Sequence, residues 1–373
     1  MEMADNKKKI LVMSFGSDAG GIEKSLIEFL KFLISEGHKV DLYLWRSPGI
    51  MYDKIPSKVN ILSYKLFPGT ISTNKSLKGL LWYCLFRIYT IIKDPTKVFR
   101  RFPVKGYDVA ISYCQNGYSP HYVINKVDAR KKIIFYHHGS YEEVGKKKRI
   151  DFRYFKQYDC FVTVSKAAKD MLQKHFPKIS NIMVINNITD EDEIVRMSNQ
   201  LNPYQQYTEI TNICTVGRIS PEKGQTLALE TAHRLKKSHI KFKWWFVGDG
   251  GDMERCKKLA NDLNISDQCE FVGAKSNPYP YISNCDIYVQ PSFIEADPVT
   301  IREARILGSS IVATDIPAIR EALEEGRSGI LCAPSPQGLF DGIMHVMNIP
   351  DLKVPLYQSP NEQIKKQLRE ILK

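Results

Sequence analysis

The 373-residue sequence has no apolar run long enough to cross a membrane. Its most hydrophobic stretch, GLLWYCLFRIYTII at 79–92, is fourteen residues long and holds Arg87, whereas a spanning helix needs about 20 predominantly apolar residues. Paired cysteines are missing too. The eight cysteines, at 84, 114, 160, 214, 256, 269, 285 and 332, form no C-x-x-C. Several sit in strand-like runs such as NICTVG and DCFVTVS, which speaks against a disulfide framework or a zinc site and for reduced, buried thiols of a cytoplasmic protein. No H-E-x-x-H occurs. The polar start MEMADNKKK runs straight into a strand, so no signal peptide is expected. Acidic residues are scarce in one half only. Residues 1–200 carry 33 Lys+Arg against 20 Asp+Glu, and residues 201–373 carry 20 against 21, so the whole net charge of +12 lies in the first half. The asymmetry suits an acidic partner: membrane phospholipid, nucleic acid or a phosphorylated substrate.

What is present is alternation. Apolar strands at 9–15, 39–45, 107–113, 131–138, 160–165 and 182–187 are separated by helical periodicity, clearest in IEKSLIEFLKFLISEG at 22–37. A polar segment at 198–209 reads as a linker. The rhythm then restarts with strands at 212–217, 243–248, 269–273, 286–292, 309–315 and 329–334. Strands alternating with helices imply parallel sheets with right-handed crossovers. The expectation is an α/β protein of two doubly wound, Rossmann-like domains, 1–197 and 210–354, facing a central cleft. A last helix, about 355–373, can pack back onto the first domain. Ligands on such sheets bind beyond the C-terminal strand ends, so motifs there carry most weight.

Four motifs lie at such positions. GSDAGGIEKS (16–25) is a glycine-rich turn whose backbone N–H groups, around Gly20 and Gly21, can approach an anion. It does not match G-x-G-x-x-G and equally suits a plain tight turn. HHGS (137–140) puts His138 at a strand end. VGRISPEKG (216–224) places Arg218 and Lys223 beside a helix start, an arrangement suited to a diphosphate; two solvated charges are the plain alternative. In EADPVTIREA (295–304), Pro298 suits a first helical turn, and the N–H groups of Val299 and Thr300 would face a phosphate. Glu303, one turn in, can accept from two vicinal hydroxyls such as a ribose offers. Glu295 would face whatever the diphosphate carries, with Asp297 between them. Neither glutamate is an N-cap, so favourable helix-start charge explains them poorly. The D-x-D pattern in TDEDE (189–193) reads as a helix cap in preference to a metal site.

Taken in order, these motifs resemble the retaining glycosyltransferases of family 4, supported by VSKAAKD, INNI, FVGDGGDM, FVGA and QPSFIEA. The resemblance covers about residues 9 to 340 and implies the GT-B fold. It implies that Arg218 and Lys223 hold the donor diphosphate, Glu303 the ribose, Glu295 and His138 the transferred sugar, and Gly20-Gly21 the donor phosphates. The backbone of Phe271, Val272 and Gly273 would meet the base. No metal or other cofactor would be needed, since cations and helix dipoles neutralise the leaving diphosphate. The chain departs from the family at Ala296-Asp297, where glycine and Phe or Leu are usual. Asp297 thus becomes a candidate for donor choice.

The reading is a retaining, metal-independent hexosyltransferase that takes sugar from a UDP-sugar, in preference to a GDP-sugar, to a lipid-linked glycan acceptor in cell-surface polysaccharide synthesis. Two alternatives stay open: a nucleotide-sugar 2-epimerase or sugar phosphorylase of similar architecture, and a basic nucleic-acid-binding protein, which has only the charge in its favour. Residues 75–105 carry eight Lys/Arg and one acidic residue around the apolar run. They read either as a packed helix with a basic rim or as an interfacial segment. The latter would lay Trp82 and Phe86 against lipid and Arg87, Lys97, Arg100 and Arg101 against anionic headgroups, so that the protein works at the cytoplasmic face of the membrane.

Overall fold

A computed structural model describes residues 7–14, 21–44, 52–63, 104–115, 119–349 and 356–373. The chain divides into two compact units, residues 1–189 with 361–373, and residues 190–360.

The first unit contains β1 (Lys9–Ser14), α1 (Gly21–Ser35), β2 (Lys39–Leu44), β3 (Asn60–Ser63) and β4 (Val104–Ser112). It continues with α2 (Ser119–Lys126), β5 (Val127–Tyr136), α3 (Gly145–Phe155), β6 (Cys160–Thr163), α4 (Lys166–His175) and β7 (Ile182–Val184). The seven strands run in the order β3-β2-β1-β4-β5-β6-β7, and every pair is parallel. Strand β3 was not legible in the sequence: four residues, NILS, give too short a pattern to stand out. Helix α1 forms because Leu26, Ile27, Phe29, Leu30, Phe32 and Leu33 recur at helical spacing and are all buried. It stops at Gly37, whose φ of 79° lets His38 N–H reach back to the Leu33 carbonyl at 3.1 Å. Burying each such large side chain stabilises the fold by about 1.5–3 kcal/mol.

The second unit opens with α5 (Glu191–Ser198), capped by the Asp190 side chain, which accepts from Glu193 N–H at 3.1 Å. Then come β8 (Thr211–Val216), a 3-10 turn (Pro221–Lys223), α6 (Gln225–Lys237), β9 (Phe242–Val247), α7 (Met253–Asp262), β10 (Cys269–Gly273) and α8 (Tyr279–Ser283). It closes with β11 (Ile287–Gln290), α9 (Val299–Ile306), β12 (Ile311–Thr314), α10 (Pro317–Ala322), β13 (Ile330–Cys332) and α11 (Pro336–Asn348). Its six-stranded parallel sheet has the order β10-β9-β8-β11-β12-β13.

Two boundaries differ from the expectation. The first unit's main segment ends at Thr189, not 197, because α5 packs on α8 and α9 of the second unit. Asn277 Nδ2 donates to the Met197 carbonyl at 2.9 Å and ties it there. The polar 198–209 segment is likewise attached to that unit: Tyr204 is 3% exposed, donates to the Tyr281 carbonyl at 2.7 Å and packs on Trp245. Its polar composition hid two rings, Tyr204 and Tyr207, that pack on Trp245. The last helix, α12 (Asn361–Leu372), belongs to the first unit. Ile364, Leu368, Ile371 and Leu372 join that unit's core, and Arg369 makes a bidentate pair with Glu36 at 2.8 and 3.0 Å. Among the described residues, no helix is long and apolar enough to cross a membrane.

Candidate active site

In the second sheet β8 and β11 are neighbours, while β9 and β10 lie to one side and β12 and β13 to the other. Strand order reverses there, so the loops leaving β8 and β11 converge at the sheet's C-terminal edge. Gly224 brings them into contact. Its φ of 71° lies in the left-handed region, and a Cβ there would stand 1.9 Å from the Pro291 carbonyl oxygen. Only glycine allows this approach. Phe293 N–H donates to the Glu222 carbonyl at 2.9 Å and closes the same seam.

The seam joins two of the charged residues singled out in the sequence. Lys223 Nζ lies 2.7 Å from both carboxylate oxygens of Glu295. Glu295 Oε1 also accepts from Ser292 Oγ at 2.8 Å and from Gln290 Nε2 at 3.0 Å. The Glu295 side chain is 6% exposed and that of Lys223 26%. Bringing these charges out of water is costly, and the three donors on one carboxylate offset it. Arg218 is exposed on the same loop, while its carbonyl accepts from Gln225 Nε2 at 2.9 Å. Burial pushes the Glu222 carboxyl up, but the Ser220 hydroxyl, its own backbone N–H, Lys223 and Arg218 together outweigh this and hold it below the usual range.

Helix α9 starts at Val299, and Pro298 is its N-cap, one place before the first helical turn in which the sequence put it. The N–H groups of Val299 and Ile301 bond back to the carbonyls of Asp297 (2.8 Å) and Pro298 (2.9 Å). The Thr300 hydroxyl donates to Gln290 Oε1 at 3.0 Å, so what Thr300 can offer an anion is its backbone N–H. Asp297 accepts from Arg302 Nη2 at 2.7 Å, with the two side chains 6% and 12% exposed. The negative charge expected beside the donor is therefore answered within the chain. Glu303 is 2% exposed, so little of it stands open to a ligand. At the end of β10, Phe271 stacks on Phe246 with centroids 5.0 Å apart, Val272 is half-buried, and the Gly273 carbonyl accepts from Gly248 N–H at 3.0 Å.

In the first unit His138 is exposed at the end of β5, and its Nδ1 is occupied by Ser140, whose carbonyl lies at 3.0 Å and N–H at 3.2 Å. Among the described residues, Nε2 makes no hydrogen bond. Its neighbour His137 is buried between Tyr113 and Phe135, and burial pushes its imidazole down to about 3, so it is neutral near pH 7. Gly21 is the exposed first residue of α1. Gly20 and the segment holding Trp82, Phe86, Arg87, Lys97, Arg100 and Arg101 lie outside the described residues.

Tyr288, Gln290, Ser292 and Arg302 have no role assigned from the sequence, although Gln290 and Ser292 lie in QPSFIEA. Tyr288 and Gln290 share one face of β11 and Ser292 follows two residues past its end, so polar groups at a spacing of two in an apolar run were the available signal.

Two parallel α/β units, one with a cation–carboxylate centre at its switch point, frame the candidate site, and comparison with known proteins gives the class. The family model described as glycosyl transferases group 1 matches residues 197–367, and that of glycosyltransferase family 4 matches residues 19–193. An uncharacterised glycosyltransferase of Haemophilus influenzae is 25% identical over 359 residues, 92% of each chain. The lipopolysaccharide core biosynthesis glycosyltransferase LpsE of Rhizobium meliloti is 24% identical over 182 residues, 48% of this chain and 50% of that one. Among solved structures, Anabaena HepE in complex with UDP and glucose superposes with a TM-score of 0.73 at 16% identity, over 98% of this chain and 99% of that one. The fold is GT-B and the protein is a glycosyltransferase. The chain belongs to family 4 of these enzymes, the group 1 glycosyl transferases.

Proposed function

We propose that the protein transfers a hexose from a UDP-sugar, with retention of anomeric configuration and without a metal ion, to a hydroxyl of a lipid-linked glycan in cell-surface polysaccharide synthesis. The observation that carries the reading is the Lys223–Glu295 pair on the seam between the β8 and β11 loops, with Arg218 exposed on the same loop. Arg218, Lys223 and the Thr300 N–H neutralise the departing diphosphate, a task that preorganised donors perform without reorganisation cost. Glu303 takes the ribose hydroxyls, the backbone from Phe271 to Gly273 takes the base, and Glu295 faces the transferred sugar. In the first unit we assign His138, through Nε2, and the Gly20-Gly21 turn to the same reaction. Support for UDP comes from its presence in the HepE complex, and support for a polysaccharide acceptor from the lipopolysaccharide role of LpsE.

The direct test of this reaction is proton NMR of freshly formed product, made in the presence of EDTA from a UDP-sugar that the enzyme turns over. The expected product keeps the donor's anomeric configuration. An inverted product, or a reaction abolished by EDTA and restored by a divalent ion, would overturn the assignment.

The lipid-linked acceptor implies work at an anionic membrane surface, and the 75–105 segment with its eight basic residues is the docking element we assign. Each basic residue near such a surface contributes about 1 kcal/mol. The protein is expected to co-sediment with phosphatidylglycerol vesicles at low salt and to leave them at high salt. Lys97→Glu, Arg100→Glu and Arg101→Glu together should weaken that binding with UDP affinity unchanged. Equal binding to neutral and anionic vesicles, or binding to neither, would contradict it.

A further inference from the structure

We propose that Gln290 is a positioning residue for Glu295: its amide fixes the carboxylate against Lys223 and couples it to Thr300 at the start of α9. The inference rests on the proposed function, in which Glu295 faces the transferred sugar.

Gln290 is 3% exposed, and its amide is bonded at both ends. Oε1 accepts from Tyr288 Oη at 2.7 Å and from Thr300 Oγ1 at 3.0 Å. Nε2 donates to Ser292 Oγ at 2.8 Å and to Glu295 Oε1 at 3.0 Å. Ser292 Oγ passes its own hydrogen to the same Glu295 oxygen at 2.8 Å. The direction of this relay is determined chemically. An ionised carboxylate only accepts, so the amide group facing Glu295 must be the NH2. Burial holds the Tyr288 phenol well above its ordinary range, so it stays a hydroxyl and acts as the donor at the other end. Flipping the amide would set NH2 against two O–H donors and an oxygen against a carboxylate. Only one orientation satisfies all four partners, and it points two hydrogen-bond donors, from Gln290 and Ser292, at Glu295 Oε1.

The consequence is functional as well as structural. Thr300 stands at the helix start assigned to the diphosphate, and Gln290 is its hydrogen-bonded link to the carboxylate assigned to the sugar. A shift in the α9 entry would reach Glu295 through one amide. The charged and titratable groups around this relay are Lys223 from the 3-10 turn, Tyr288 from β11, Glu303 from α9 and Cys214 from β8.

The test is Gln290→Glu, which keeps the shape and replaces the NH2 by a group that donates only when protonated. At pH 8 two carboxylates would face each other, and UDP release from UDP-glucose, UDP-galactose or UDP-N-acetylglucosamine should fall about 10²-fold relative to wild type, as expected for a misplaced reacting group. UDP affinity should stay within about twofold, because loss of the relay leaves the nucleotide contacts in place. Two carboxyls sharing a site raise one pKa, so lowering the pH to about 5.5 restores a shared proton. The rate relative to wild type should then recover about tenfold. The carboxyl's folded pKa exceeds its unfolded value, so the variant's melting temperature relative to wild type should also rise as pH falls from 8 to 5.5. This melting arm needs no sugar donor: if wild type releases no UDP from any of the three donors, the functional reading fails while the Gln290–Glu295 coupling is still decided. Tyr288→Phe, which removes the far anchor and touches neither Glu295 nor donor, should lower the rate several-fold and covers the case of a Gln290→Glu variant that does not fold. A pH-independent rate ratio and melting difference for Gln290→Glu, or wild-type rates in Tyr288→Phe, would overturn the proposal.

Discussion

Lys223→Ala is expected to lower turnover by about 10²–10³-fold, the loss typical of removing one preorganised charge-stabilising donor, and to destabilise the second unit at the same time. The ammonium lies 2.7 Å from both oxygens of Glu295, whose side chain is 6% exposed. Without it the carboxylate keeps, among the described residues, only the neutral donors Gln290 and Ser292. Removing one partner of a buried pair costs about 3–5 kcal/mol. Lys223 is itself 26% exposed, so the loss should fall at the lower end, about 3 kcal/mol. The two effects separate in a double variant. Lys223→Met with Glu295→Gln leaves no charge stranded, so chemical denaturation should show most of the stability restored while turnover stays lost. A Lys223→Ala protein as stable and as active as wild type would show that the pair is incidental. Restored turnover in the double variant would show that Lys223 serves only to neutralise Glu295.

The sheets were legible because buried parallel strands read as continuous apolar runs, and in both units these alternate with amphipathic helices such as α1. The placement of Arg218, Lys223 and Glu295 was legible for the same reason: all three fall past strand ends, where ligands of such sheets gather. How these residues meet was not. Local spacing says nothing of a Lys and a Glu 72 positions apart, and their contact depends on Gly224 lying against the Pro291 backbone. The sequence also presents Asp297 as a charge toward the ligand. Its partner Arg302 lies five residues on, and only the turn into α9 brings the two within 2.7 Å. Gln290 and Ser292 entered only as part of QPSFIEA, and nothing in that run says that their side chains meet Glu295. Tyr204 escaped notice because an aromatic ring in a polar stretch resembles an exposed one.

The second large effect is Glu303→Ala on nucleotide binding. Glu303 sits one turn inside α9, a helix whose entry is set by Pro298 and whose Thr300 joins the Lys223–Glu295 centre through Gln290. In the proposed donor complex its carboxylate accepts from the two ribose hydroxyls. Losing the net worth of one hydrogen bond to a charged group, about 1.5–3 kcal/mol, should weaken nucleotide binding roughly ten- to a hundredfold. Glu295→Ala should instead leave UDP affinity near wild type and impair turnover, because the bare nucleotide lacks the sugar that Glu295 faces. Glu303 is 2% exposed, which makes the test demanding: a ribose can reach only what burial leaves open. Titration calorimetry of UDP into wild type, Glu303→Ala and Glu295→Ala measures this directly. The expected result is binding to wild type, a roughly ten- to a hundredfold loss for Glu303→Ala and near-wild-type affinity for Glu295→Ala. Wild-type affinity in Glu303→Ala, or no binding of UDP to the wild-type protein, would contradict the assignment of this helix to the nucleotide.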